Sequence, residues 1–160
     1  MDKTNISVVG SIALDSLKTS KGDYDNLLGG SATYFSIAAS KFSPVEVIGI
    51  VGNDFPENCW EIFNSKNINS KNIVKEIGNT FRWGGQYSDD YSSRETLFTE
   101  LGVFEHFKPN IVSSSTQQGI LFLANIQPSL QLDVLNQMKN NSSNTKVTNK
   151  IYVRCKNNII

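Results

Sequence analysis

The sequence predicts an α/β fold: a mainly parallel sheet with flanking helices, from which a β-ribbon projects. Three observations carry that prediction. The runs around Ile6–Val9, Val45–Val51 and Gly119–Ala124 are short and almost wholly apolar, the pattern of strands buried on both faces. Stretches with helical spacing follow each of these runs, which is the strand–helix alternation of crossover-linked parallel strands. In the middle, two extended segments are joined by the polar turn SDDYSSRE, the mark of an antiparallel ribbon.

Taken in order, Ile6 to Gly10 is a buried strand, followed by an irregular stretch containing Asp15, Gly22, Asp23 and Asp25. After Gly29-Gly30, SATYFSIAASKF is a helix with Ser31 as N-cap. Tyr34, Ile37 and Ala38 fall on one side of it, and its alanines allow close packing. Pro44 ends that element, and VEVIGIV is a second strand closing on Gly52. Pro56 at the first helical position opens PENCWEIFNSKN, with Cys59, Trp60 and Phe63 on one face. Ile73 to Ile77 is a third strand. Residues 80–87 and 96–101 form the ribbon, Gly119 to Ala124 a central strand ending at Asn125, and Pro128 opens a helix striped by Leu130, Val134, Leu135 and Met138. No linker divides residues 1–140.

Composition narrows the function. Fifteen basic and fifteen acidic residues give no net charge, which argues against electrostatic binding of nucleic acid. Cys59, Cys155 and His106 make neither a disulfide framework nor a metal site. No stretch has the length of a membrane span, the N-terminus does not read as a signal peptide, and the expected location is cytoplasmic. The charge is unevenly placed. Lys139, Lys146, Lys150, Arg154 and Lys156 fall in residues 134–160 without a single acid, and no glycine follows Gly119. Residues 141–160 thus read as a divergent basic tail, expected to be poorly packed apart from a local strand at Lys150–Cys155.

No GxGxxG follows the first strand, and no Walker A loop is present. Asp15 can accept hydrogen bonds from two hydroxyls of a polyol at the carboxyl end of the sheet, or be a solvated loop aspartate. Gly29 and Gly30 let the backbone approach a ligand, with the free N–H groups of a helix start facing it, or simply make a turn. Arg82 and Arg94 on the ribbon can close over a ligand, or pair with Asp89 and Asp90. The aromatics Phe81, Trp83, Tyr87, Tyr91 and Phe98 can stack on a ligand or pack two ribbons together. His106 has no partners for a triad.

Read together, VVGSIALDSL, LGGSATYFSIAASKFSPVEVIGIVGNDFP, NTFRWGGQYSDDYSSRETLFTELGVF and ILFLANIQPSLQLDVL resemble the N-terminal half of a ribokinase-like (PfkB) carbohydrate kinase. The resemblance implies a Rossmann-like three-layer sandwich, here incomplete, with the ribbon at 80–101 as a lid over a sugar site. It implies an ATP-dependent sugar or nucleoside kinase, using ATP and Mg2+. Asp15 matches the aspartate that holds sugar hydroxyls, Gly29 and Gly30 the glycine pair bordering the sugar, and Asn125 a position that completes the pocket. Arg82 joins this substrate set from the ribbon. Tyr34 stands near where many members carry asparagine, which points to a subgroup.

In that family the catalytic base and anion hole come from a GAGD-type segment in the second half, and this sequence contains no such segment. No catalytic residue is therefore assigned, and the chain is expected to bind neither ATP nor Mg2+. The compositional break near residue 141 is expected to reflect a truncated or frame-shifted kinase. The alternatives are a natural short form, a non-catalytic sugar-binding module, or a homodimer formed through the ribbon.

Overall fold

The computed structural model describes residues 5–64, 67–111, 119–141 and 151–153. Its main sheet is parallel, ordered β5-β4-β1-β8-β9. The strands are β1 (Asn5–Val9), β4 (Val45–Gly52), β5 (Ile68–Glu76), β8 (Gly119–Leu123) and β9 (Ile151–Val153). β1 lies at the centre, with Val8 opposite Val47 on one side and Phe122 on the other.

Alternation along these strands builds two cores. Val8, Val45, Val47 and Phe122 face α1 (Ser31–Ala39) and α2 (Glu57–Phe63), where Phe35 stacks on Phe122 at 3.7 Å and Phe55, Trp60 and Phe63 pack together. Val9, Ile48, Ile50, Leu121 and Leu123 face the opposite way, against a short 3-10 turn (Gly102–His106) and α3 (Pro128–Asn141). Helices on both faces of a parallel sheet make three layers. Val134 and Met138 of α3 are buried and Leu130 and Leu135 half-buried, as the stripe predicts, and Cys59 and Phe63 are buried on α2.

A second, mixed sheet is ordered β3-β2-β6-β7. It combines the hairpin β2 (Ala13–Thr19) and β3 (Gly22–Gly29) with the hairpin β6 (Phe81–Tyr87) and β7 (Arg94–Glu100). β2 and β6 join the two hairpins in parallel, Ala13 opposite Phe81. The ribbon is where the sequence places it. The β2–β3 hairpin replaces the expected irregular stretch, and Asp15 lies within a strand rather than in a loop. Thr19 closes the hairpin turn: its hydroxyl donates to the Gly22 carbonyl at 2.9 Å and accepts from the Lys21 amide at 3.2 Å.

Two further expectations change. α1 buries Ala32, Thr33 and Ser36, and leaves Tyr34 and Ala38 exposed, so its inward face is the one with small side chains. Large groups on that face would hold the helix off the sheet. Ser31 is not the N-cap; that place belongs to Gly30, and Ser31 is the first helical residue. Ile151–Val153 run parallel to Leu121–Leu123 and extend the sheet, within the span where a local strand is expected. Residues 142–150 and 154–160 of that tail lie outside the described residues. Among the described residues, no helix is long and apolar enough to cross a membrane.

Candidate functional site

The chain leaves β1 towards β4 and β5 on one side, and later enters β8 on the other. The crevice between the carboxyl ends of β1 and β8 is therefore the switch point of the sheet, where open α/β folds receive ligands. Three segments meet there. Ser11, just past β1, accepts the Ser31 amide on its hydroxyl at 3.1 Å and the Ala32 amide on its carbonyl at 3.0 Å. The Ser31 hydroxyl lies 3.1 Å from that of Ser11 and donates to the Asn125 carbonyl at 3.4 Å. Gly10 fits closely between them, since a Cβ there would come within 2.7 Å of the Ala124 Cβ.

The expected free amides at the start of α1 are thus not free: Ser11 takes the first two. Ser11 is a residue that the sequence reading passed over, although its place directly after the first strand was the available signal. Gly30 itself turns the chain at φ 96° and ψ 151°, a region open essentially to glycine, and lies against the backbone of Ser11 and Ile12.

Asp15 approaches this edge from β2. Its carboxylate packs over Gly29, where any side chain would collide with it. Burial pushes the Asp15 carboxyl above its usual range, and the nearby Arg94 guanidinium partly offsets the rise. Tyr34, projecting from the first turn of α1, is raised by burial and then by the charges of Asp15 and Tyr87. Arg94 lies 4.9 Å over the Trp83 ring, and Trp83 sits beside Asp15 in the β2–β6 register. Asp15 thus lies near Gly29, Tyr34, Trp83 and Arg94, and Gly29 leads into the Gly30–Ser31 segment whose Ser31 hydroxyl reaches the Asn125 carbonyl. Asn125 is exposed at the end of β8.

Arg82 stands apart from this group. Its two terminal nitrogens donate to Asp54 at 2.8 Å and to Asn26 at 2.7 Å, a commitment the sequence expectation of a substrate contact did not include. Neither arginine pairs with Asp89 or Asp90 in a described ion pair; Asp90 instead accepts from Ser88 and Ser92 within the ribbon turn.

No family model matches the sequence, and no curated protein matches it. Solved structures do. Ribokinase from Giardia lamblia superposes with a TM-score of 0.73 at 16% identity, over 94% of this chain and 50% of that one. The fold is ribokinase-like. Ribokinase from Cryptococcus neoformans, solved in complex with ADP, gives 0.70 at 19% identity over 94% and 50%. The nucleoside kinase of Methanocaldococcus jannaschii gives 0.65 at 19% identity over 86% and 50%. The chain thus spans about half the length of these ribokinase-like structures.

Proposed function

We propose that this chain is the hydroxyl-binding part of a ribokinase-like sugar or nucleoside kinase, and that these 160 residues hold substrate without transferring phosphate. The observation that carries the reading is Asp15, held half-buried over Gly29 at the switch-point edge with Arg94 and Tyr34 beside it. A carboxylate so placed accepts two hydrogen bonds from vicinal hydroxyls, and Gly29 and Gly30 leave room for a ligand to approach the backbone. Asn125 completes the rim. Arg82 supports the pocket from the far side rather than contributing a donor to it.

Magnesium and ATP are the cofactors that such a kinase uses. Asp54, in the turn after β4, accepts from the Thr80 amide and hydroxyl and from Arg82. Among the described residues no three His, Cys, Asp or Glu side chains gather to hold a metal. That these residues transfer no phosphate is part of the proposal, and its support is the sequence, which contains no GAGD-type segment.

Calorimetric titration with a panel of sugars and nucleosides tests the reading, alongside an ADP-release assay with ATP and magnesium. Binding weakened at least tenfold by Asp15→Asn, with no ADP released, is the expected result. Turnover by the wild-type chain, or binding indifferent to Asp15, refutes it. A homodimer through the lid is a second reading, supported by β7, which exposes every residue including Leu97 and Phe98. Sedimentation equilibrium with Phe98→Glu tests that form.

A further inference from the structure

One chain of hydrogen bonds ties the lid to the main sheet. At the end of β4, the Gly52 amide donates to the hydroxyl of the fully buried Thr80 at 3.0 Å, and Asn53 receives the Gly78 amide at 2.9 Å. Asp54 accepts the Thr80 amide and hydroxyl on one oxygen, each at 2.7 Å, and Arg82 on the other. Arg82 then reaches across the lid to Asn26 of β3. Asn26 has φ 56° and lies where the β2–β3 register shifts, between the pairs Asp15–Leu27 and Leu17–Tyr24. Arg82 of β6 therefore joins two other segments through its guanidinium: the turn after β4, and the irregular point of β3 next to Leu27, the partner of Asp15.

We propose that Arg82 is a positioning residue, whose planar fork fastens the lid to the end of β4 and sets where Asp15 stands over the switch-point crevice. The geometry needs arginine. A guanidinium offers two donors at a fixed spread, one for Asp54 and one for Asn26, whereas an ammonium is a single point that cannot span both without losing direction. Leu14, the register partner of Arg82 on β2, is 1% exposed. With Leu14 anchored in the core and Asn26 held by Arg82, both the residue before Asp15 and the β3 strand paired with it are fixed. Only the functional meaning of the clamp rests on Asp15 being the ligand-holding group; the clamp itself is testable without ligand.

The experiment uses the full chain as wild type, Arg82→Lys and Arg82→Met, followed by amide hydrogen exchange and by NMR titration of the Asp15 carboxyl. Arg82→Lys keeps the charge and guards against a variant that does not fold. Amides of residues 13–29 and 81–87 are expected to exchange about tenfold faster in Arg82→Lys, the scale of one charge-assisted hydrogen bond, while Val45–Gly52 keeps its protection. The Asp15 carboxyl is expected to titrate closer to its ordinary range as water enters. Unchanged lid exchange in both variants overturns the proposal. So does equal acceleration in Val45–Gly52, which makes Arg82 a residue of general stability. A failure of the substrate reading shows separately, as ligand binding indifferent to Asp15→Asn with the exchange pattern intact.

Discussion

Replacing Gly30 with alanine should be among the most damaging single-methyl additions in this protein. At φ 96° and ψ 151° the residue occupies a region that side-chain-bearing residues avoid at about 1–3 kcal/mol. The added Cβ would also press on the Ser11 carbonyl and come within 2.8 Å of the Ile12 Cα. Those are backbone atoms, and Ile12 is fully buried, so neither can turn aside. Forcing a methyl into a filled site adds about 1–3 kcal/mol. The sum, about 2–6 kcal/mol, approaches the whole stability of a marginal domain, about 5–15 kcal/mol. Gly22→Ala is the control. Its φ of 134° is as unfavourable, yet a Cβ there would meet only the Tyr24 hydroxyl, at 4.0 Å. Urea unfolding of both variants separates backbone strain from collision. Gly30→Ala should lose about 1–3 kcal/mol more than Gly22→Ala. Equal losses would show that the close approach of Gly30 to Ser11 has no energetic weight, and the account of how α1 meets the switch point would fail.

Other outcomes follow from single groups. Asp15 has its carboxyl raised by burial, so the charged form opposes folding; the stability it permits is full below the ordinary carboxylate range and falls as pH rises through the raised value. Asp15→Asn should therefore raise the melting temperature at pH 7 while weakening ligand binding, and a lower melting temperature would contradict the assignment. For Asp54, burial pushes up but the hydrogen bonds from Thr80 and Arg82 outweigh it, leaving the carboxyl low. Its contribution holds above the ordinary range and fades as pH falls through the depressed value; acid unfolding of Asp54→Asn should show a shallower slope than wild type. The Thr33 hydroxyl is buried without a hydrogen-bond partner among the described residues, so Thr33→Val should stabilise by about 1 kcal/mol, read as a rise of about 2–4 °C in melting temperature. Phe63→Ala empties a fully buried site and should cost about 3–5 kcal/mol by denaturant unfolding.

What the sequence disclosed follows where water is excluded. β1, β4 and β8 are buried on both faces, so their letters are apolar almost without break, and the stripe on α3 survives because one side of it meets the sheet. The β2–β3 hairpin sits in the lid, where Gly22–Asn26 are all exposed. Nothing selects alternating hydrophobicity there, and Asp23, Tyr24, Asp25 and Asn26 read as loop. α1 misled for a different reason: a helix that approaches a sheet closely buries its smallest residues, and Ala32, Thr33 and Ser36 carry little hydrophobic signal. Gly29-Gly30 and Asn125 could be read as candidates because a glycine pair and a strand end are local features, whereas Asp15, expected in an irregular stretch, lies within β2. The partnership of Arg82 with Asp54 and Asn26 was not legible, because it depends on which hairpin crosses which turn. The same holds for Arg94, whose nearness to Asp15 arises from the pairing of β2 with β6 and of Tyr87 with Arg94.

The pairing of β2 with β6 also governs how this molecule can come into being. The first hairpin is made early in the chain, yet its parallel neighbour arrives only after β4, α2 and β5 have been synthesised. A lone two-stranded hairpin is at best marginal in water. On a ribosome, the strand carrying Asp15 must therefore wait, with one edge unsatisfied, until β6 emerges. Long-range parallel pairing is slow because the closure of the intervening chain comes before any reward in contacts. The four-stranded sheet can then close only once β6 and β7 have emerged, and until that moment the β2 edge is open to wrong partners.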